Sequence, residues 1–429
     1  MGALIIVLIG IGILEKTGFL KTFFTMLTRN SKKNTITFIL VFLCLIFSLL
    51  GNIGFVIMLP LGALLFKYGR RNPLGGIIAT FASLSFGAGI NVFLSANDSS
   101  LLELTLNAAH TLDQNYAIGT FFSLFIMILA LIIVSIVFTT VTEKKIMPRL
   151  PRYESTEEEL KITNKELRGL IIGLGAGILY ILLIVYMIIP GLPLSGALLD
   201  NGATKYIDML FGANSLFNKG FIFIVTMLFV IVGYGYGLMT KTIKNSKDVT
   251  ESLGYSLDGI GSILVLLFFA SLFINVFEES QIGTVIVASI SIIGGLNFTG
   301  APLILMTVIL VGIGNLFLPG SLSKWQILSG SLVTLFMNAS ISPEFSQVTF
   351  VAAESLTNGL TPLFLYFAVY IAFMEKYNTN ETTTISGCTK YMVPYATYIS
   401  IIWILILIGW YLIGLPIGIG SYPGVIYGA

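Results

Sequence analysis

Long apolar segments follow one another along this chain, and they limit its fold more than any other feature. Segments such as 121–140, 170–189 and 221–239 are almost free of charge. Runs of about 17–25 apolar residues suit helices that span a bilayer, whereas barrel strands alternate over about 10 residues. Only 10% of the 429 residues are charged, and soluble domains carry about 25%. The sequence therefore predicts an all-α integral membrane protein.

The remaining composition excludes several functions. A net charge of +2 gives no indication of a nucleic-acid partner. The two cysteines, Cys44 and Cys388, lack metal-ligand spacing and are interpreted as reduced packing residues, and one histidine, His110, is too few for a histidine-based metal site. We find no phosphate-binding loop and no hydrolase, zinc-protease or dinucleotide motif. The sequence thus predicts no enzyme and no cofactor other than a coupling ion.

The distribution of Lys and Arg predicts the topology. Most of the 23 basic residues fall in four clusters, at 29–33, 67–71, 144–168 and 241–247. The positive-inside rule places these clusters in the cytoplasm. The loops 97–116 and 190–218 are nearly free of basic residues and are placed outside.

Two segments predict re-entrant helical hairpins. Segment 36–66 has basic residues near both ends, yet two full spans need about 40 residues. We interpret it as a hairpin that opens to the cytoplasm and turns near 51–54; one long tilted helix is the alternative. Segment 303–336 predicts a second hairpin that turns around 315–325, where Pro319 and Gly320 lie.

Two further apolar segments are interrupted by polar residues and helix breakers. The first, 74–94, is interrupted at 85–91, and the second, 345–374, contains Gly359 and Pro362. Backbone that leaves the helix at membrane depth is tolerated only where protein, water or a ligand satisfies it. Broken helices of this kind form the binding sites of many transporters.

The order helix, hairpin, broken helix, helix occurs twice. A shift of 270 residues places Pro73 on Pro343 and Ser85 on Ser355. Because the first hairpin opens inward and the second outward, the two copies form an inverted repeat of about eight transmembrane helices and two re-entrant hairpins. We predict a first repeat at 1–141, a cytoplasmic loop with a linking helix pair at 142–256, and a second repeat at 257–429.

Polar residues within the two broken helices are the candidate binding residues. They are Ser83, Ser85, Asn91, Asn97 and Asp98 in the first, and Glu354, Ser355, Thr357, Asn358 and Thr361 in the second. Hydroxyls and amides with freed carbonyls could coordinate Na⁺ near Asn91, Asp98, Thr357 and Asn358, and no other metal is expected. Alternatively, Glu354 could carry a coupling proton, since desolvation favours a neutral carboxyl.

Structural interpretations of the same residues stay open. Asp98 could cap a helix at the membrane surface, and Ser or Thr often bonds its own helix backbone. Trp325 could anchor a hairpin tip at the interface or stack on an aromatic substrate. The glycines from Gly233 to Gly237 are typical of close helix packing.

The chain also resembles a known family over nearly its whole length. The matching pieces include 12–20, 56–66, 88–98, Lys324-Trp325, 341–345, 354–358, Pro362, Pro394-Tyr395 and 410–418. These pieces resemble the p-aminobenzoyl-glutamate transporter (AbgT) family. The resemblance implies a homodimer in a bacterial-type inner membrane that moves a small-molecule substrate across the lipid bilayer and is driven by an ion gradient. The family is linked to p-aminobenzoyl-glutamate uptake and to sulfonamide export.

Position by position, the resemblance implies a site at Asp98, Trp325, Pro343 and Pro362. Three positions depart from the family pattern. Asn52 and Glu354 stand where the family has aspartate, and Val351 stands where it has arginine, a natural clamp for a carboxylate. We therefore expect a substrate or coupling ion different from the family's namesake. Family members usually start with a further transmembrane helix, so this chain is expected to be truncated or divergent at its start.

The leading hypothesis is a secondary active transporter of a small organic anion or aromatic amide that works by alternating access. An uncoupled membrane channel or scaffold is one alternative. A carboxylate or peptide exchanger with the same inverted-repeat plan is another.

Overall fold

The described part of the chain is almost entirely helical. The computed structural model describes residues 2–90, 92, 96–151, 153, 162–193, 195–212, 214–258, 260–292, 298–378 and 383–424. Its helices are α1 (Gly2–Lys16), α2 (Phe19–Arg29), α3 (Lys33–Phe47), α4 (Asn52–Tyr68), α5 (Pro73–Phe86), α6 (Ala96–Ala109), α7 (Leu124–Val141), α8 (Asn164–Ile188), α9 (Tyr206–Phe211), α10 (Leu216–Thr240), α11 (Ser246–Gly254), α12 (Ile260–Glu279), α13 (Ile282–Ile292), α14 (Gly300–Phe317), α15 (Ser321–Asn338), α16 (Pro343–Ser355), α17 (Leu365–Tyr377) and α18 (Ile385–Ile413). Within these residues the only extended pairings are isolated bridges, such as Ile341 with Gly424.

Seven of the described helices are long and apolar enough to cross a membrane. They are α3, α7, α8, α10, α12, α14 and α18, and the pair α1–α2, bent by 72°, would make an eighth. Large apolar side chains stand exposed on them, such as Leu179 on α8 and Leu412 on α18, each 70% exposed. Such surfaces are stable in lipid rather than in water. The all-α membrane class and the expected number of spans are confirmed.

The chain divides into two compact units. Unit 1 comprises Met1–Ile36, Pro60–Gly76 and Arg152–Val265. In it α10 packs against α1 and α8 through small residues: a Cβ on Gly233 would lie 3.2 Å from the Ile13 carbonyl carbon, and one on Gly173 only 2.8 Å from Val232 O. The glycines from Gly233 onward thus serve close helix packing. The start of α8 is fixed by a capping box between Thr163 and Glu166.

Unit 2 comprises Thr37–Leu59, Ile77–Pro151 and Leu266–Ala429. Both interruptions lie in it. Helix α5 ends at Phe86 and α6 follows, while α16 ends at Ser355 and α17 follows after a non-helical segment, 356–364. The two interruptions predicted from the sequence are therefore present.

The two predicted hairpin turns also coincide with helix ends. Helices α3 and α4 are separated by a short 3₁₀ turn and by Gly51, whose φ is 52°. Helices α14 and α15 are separated by residues 318–320, with Gly320 at φ 133°. Both glycines adopt backbone conformations that other residues rarely tolerate, which explains why the chain turns there.

One segment differs from the sequence-based expectation. Residues 97–116 were expected to be an external loop, but α6 occupies most of that stretch. Many of its residues are polar, but Leu101, Thr105 and Ala108 form a buried stripe at helical spacing. Pro394, by contrast, does not interrupt its helix, since α18 runs through it from Ile385.

Candidate functional site

The two interruptions cross each other in unit 2. A Cβ on Gly89, in the first interruption, would lie 2.7 Å from Val351 O and 3.2 Å from Ser355 Cβ on α16. A Cβ on Gly359, in the second, would lie 2.6 Å from the Phe86 ring at the end of α5. Each interruption therefore rests on the helix that leads into the other one, and only glycine allows this approach.

The continuation of each interrupted helix contacts the other hairpin. Phe55, in the first hairpin, stacks on Tyr366 with ring centroids 4.9 Å apart. Trp325, in the second hairpin, donates from Nε1 to Thr105 Oγ1 of α6 at 2.9 Å. Phe55 and Trp325 are 270 residues apart, as are Gly89 and Gly359. This reciprocal packing is what two structurally equivalent repeats would give.

A pocket opens beside the crossing. Its lining combines one carboxylate, one amide, two hydroxyls and several apolar groups, and it includes Gly89, Asp98, Thr120, Phe122, Ser123, Met127, Gln347, Val348 and Val351. Asp98 is 8% exposed and lies in the first turn of α6, where the helix dipole favours a negative charge. No Lys or Arg of the described residues lines this pocket.

Hydrogen bonds connect the pocket wall to Trp325. Thr105 Oγ1 accepts from the Trp325 indole and lies 2.7 Å from Gln347 Oε1. Trp325 is fully buried and packs on Phe350, with ring centroids 4.4 Å apart. It is therefore not an anchor at the membrane interface, and it holds one wall of the pocket through Thr105 and Gln347.

A second polar cluster surrounds Lys324 at the start of α15. Its Nζ lies 2.5 Å from Glu354 Oε1, 2.6 Å from Asn315 Oδ1 and 2.8 Å from Leu318 O. Lys324 and Glu354 are both buried. A buried ion pair is maintained only when its remaining hydrogen-bonding groups are satisfied as well.

Asn315 connects this cluster to the second interruption. Its Nδ2 lies within 3.0 Å of Glu354 O, Thr357 Oγ1 and Asn358 Oδ1. Thr357 and Thr361 donate in turn to the carbonyls of Gly312 and Leu316 on α14. The helix can open at 356–364 because α14 supplies polar partners to its side chains and backbone.

The other predicted site residues are distributed as follows. Pro343 is the first residue of α16, and the preceding Ser342 caps that helix by accepting from Phe345 N. Ser355 donates to Ala352 O of its own helix, Ser85 is fully buried on α5, and Pro362 is exposed. Asn91 lies outside the described residues.

The predicted ligands are thus divided between two places. Asp98 lines the pocket, whereas Glu354, Thr357 and Asn358 lie with Lys324 and Asn315. The roles of four residues were not predicted from the sequence: Lys324, Asn315, Thr105 and Gln347. A lysine within a hairpin at membrane depth is a signal that could have identified the first of these.

The chain is similar to known proteins over nearly its whole length. Residues 1–425 match the family described as the AbgT putative transporter family. The chain belongs to the AbgT family. It is 25% identical to the p-aminobenzoyl-glutamate transport protein of Escherichia coli K12, over 99% of this chain and 82% of that protein.

Two solved AbgT structures resemble this one. MtrF of Neisseria gonorrhoeae, described within a class of antimetabolite efflux pumps, is 27% identical with a TM-score of 0.54 over 98% of this chain and 83% of its own. YdaH of Alcanivorax borkumensis, described as having an unusual topology, is 26% identical with a TM-score of 0.56. The match covers 97% of this chain and 86% of YdaH. The protein is therefore a multi-pass membrane transporter that acts on small molecules, and not an enzyme.

Proposed function

We propose that this protein is a secondary active transporter of aromatic amides that carry an aryl amine. It works by alternating access as a homodimer in a bacterial-type inner membrane and is driven by an ion gradient. The pocket beside the crossed interruptions supports this most directly, because it combines Asp98 and Gln347 with an apolar lining. The name of the E. coli relative agrees with such a substrate class, since p-aminobenzoyl-glutamate carries a para-aminophenyl group. Sulfonamides, whose export is linked to the family, carry the same group.

The chemistry of the pocket suggests how such a substrate would lie. The Asp98 carboxylate would accept from the aryl amine, and a charged acceptor makes such a hydrogen bond stronger. Gln347 would bond the amide or sulfonyl group, and Val351 would contact the ring. An anionic tail gains little here, because no basic side chain of the described residues lines the pocket.

Uptake of p-aminobenzoyl-glutamate itself is the second candidate, on the basis of the E. coli relative. The two candidates differ in whether the glutamate carboxylates contribute to recognition. An uncoupled channel would give flux that depends on the solute gradient alone.

Reconstitution in liposomes tests the proposal. Flux of sulfanilamide and of p-aminobenzoyl-glutamate would be measured with an imposed Na⁺ gradient, an imposed proton gradient, or neither. We expect an ion gradient to drive sulfanilamide accumulation, and the glutamate tail to add little to affinity. Flux that ignores both gradients would exclude coupled transport.

The variant Val351→Arg tests which of the two substrate candidates the pocket prefers. Val351→Met is the control, because methionine is also longer than valine but carries no charge. An arginine at this position can bind a carboxylate bidentately. We expect it to raise the preference for p-aminobenzoyl-glutamate over sulfanilamide about tenfold or more, consistent with about 1.5–3 kcal/mol for a hydrogen bond to a charged group. An unchanged preference in both variants would show that the carboxylates do not approach residue 351.

A further inference from the structure

Lys324 is a buried cation held entirely by oxygen atoms. An ammonium group has three hydrogens to donate and no acceptor. Three oxygens lie within 2.8 Å of its Nζ: one from the Glu354 carboxylate, one from the Asn315 amide and one from the Leu318 carbonyl. The side chain is fully buried, so these oxygens rather than water solvate the charge.

The three oxygens form a ligand set of the kind that binds hard metal cations. Carboxylate, amide and backbone carbonyl oxygens are typical ligands of such ions in proteins. The backbone carbonyl is available because α14 ends at Phe317, which leaves Leu318 O unpaired within that helix. The ammonium thus occupies the position that a monovalent metal ion would take.

We propose that the Lys324 ammonium is a tethered cation that fills an oxygen site formed by Asn315, Leu318 and Glu354. The protein consequently binds no Na⁺ there. This exclusion of Na⁺ does not rest on the proposed transport function.

Charge balance explains the exclusion of Na⁺. The ammonium neutralises the Glu354 carboxylate, so the filled site has no net charge. A Na⁺ entering it would meet a positive charge at contact distance in a region of low dielectric, where repulsion is strong. The site accepts a metal ion only after the ammonium has been removed.

Thermal unfolding of the purified protein in detergent tests the exclusion of Na⁺. Samples in choline chloride would be titrated with NaCl at constant ionic strength. We expect no specific effect of Na⁺ on the wild-type protein. We expect a saturable rise in Tm of a few degrees for Lys324→Met, because a ligand that binds only the folded state stabilises it.

Three further variants complete the experiment. Lys324→Gln removes the charge but keeps a polar group, and provides a second vacated site if Lys324→Met does not fold. Lys67→Met is the matched control, since it removes a lysine 3.8 Å from Glu15 without vacating such a site, and should show no response to Na⁺. Lys324→Met combined with Glu354→Gln should lose the response.

Two results would overturn the inference. One is a saturable stabilisation of the wild-type protein by Na⁺ that choline does not reproduce and that Glu354→Gln abolishes. The other is a folded Lys324→Met or Lys324→Gln protein that does not respond to Na⁺. Neither measurement depends on transport, so failure to transport every substrate would contradict the proposed function and leave this result intact.

Discussion

Two carboxylates of unit 2 have similar burial and very different surroundings. Asp98 lines an open pocket at the start of α6, together with Gln347 and Val351. Glu354 lies at the end of α16 and is paired with Lys324 at 2.5 Å. Burial alone therefore does not identify the residue that meets a substrate. The surroundings differ in kind: Asp98 lines a pocket, whereas Glu354 is paired with the Lys324 ammonium.

The largest expected effect comes from removing the ion-pair partner of Glu354. Lys324→Met leaves Glu354 buried without its ion-pair partner, and removing one member of a buried pair typically destabilises by about 3–5 kcal/mol. We expect this loss in the free energy of unfolding, measured by chemical denaturation in detergent without Na⁺. Adding Glu354→Gln should restore part of it, since the uncompensated charge is then gone.

If the double variant is no more stable than Lys324→Met, the ion pair is not the source of the loss. The cycle of wild type, two single variants and the double variant measures the coupling directly.

An intermediate effect is expected where the pocket meets the crossing. Gly89→Ala places a Cβ 2.7 Å from Val351 O, so the two segments must move apart. Overpacking of this kind costs about 1–3 kcal/mol, and it should also alter substrate affinity because Val351 lines the same pocket. Thermal unfolding and substrate binding would be measured together.

Gly330→Ala is the control for that change. Gly330 lies within α15, and nothing approaches its Cβ position within 4 Å. Alanine there should be neutral or stabilise by up to about 1 kcal/mol, since glycine is a poor helix residue. Equal destabilisation by both substitutions would argue against a tight crossing.

The smallest effect on stability is expected at the pocket carboxylate. Asp98→Asn keeps the shape of the side chain and loses its interaction with the helix dipole, worth about 0.3–1 kcal/mol. Affinity for sulfanilamide, measured by calorimetry, should nevertheless fall about tenfold or more, because a charged acceptor is lost. A large loss of stability with unchanged affinity would make Asp98 a structural residue and remove the contrast with Glu354.

The sequence predicted the interrupted helices well because the signal is local. Gly359 and Pro362 lie close together and both disfavour helix, and Gly51 and Gly320, each at positive φ, mark the hairpin turns. Helix α6 was missed because its apolar stripe is short and contains Thr105, which is buried only because Trp325 and Gln347 supply its partners.

The site was only partly predictable. Asp98, Thr357 and Asn358 were named together as possible Na⁺ ligands, but the fold places Asp98 at the pocket and the other two beside Asn315. Lys324 was not predicted as a functional group, since a lysine next to a tryptophan resembles an interfacial anchor. Whether a long cation is solvated or buried depends on which oxygens other segments bring to it.

By itself, the sequence determined the membrane class, the number of spans, the positions of the helix breaks and the repeated order of elements. These features follow from hydrophobicity and backbone chemistry over short stretches, which contacts elsewhere in the chain rarely override. Tertiary structure alone decided that Gly89 and Gly359 cross, that Trp325 is buried against Phe350, and that Lys324 neutralises Glu354. Each of these depends on residues far apart in sequence, and their energies arise from close approach, which no local pattern specifies.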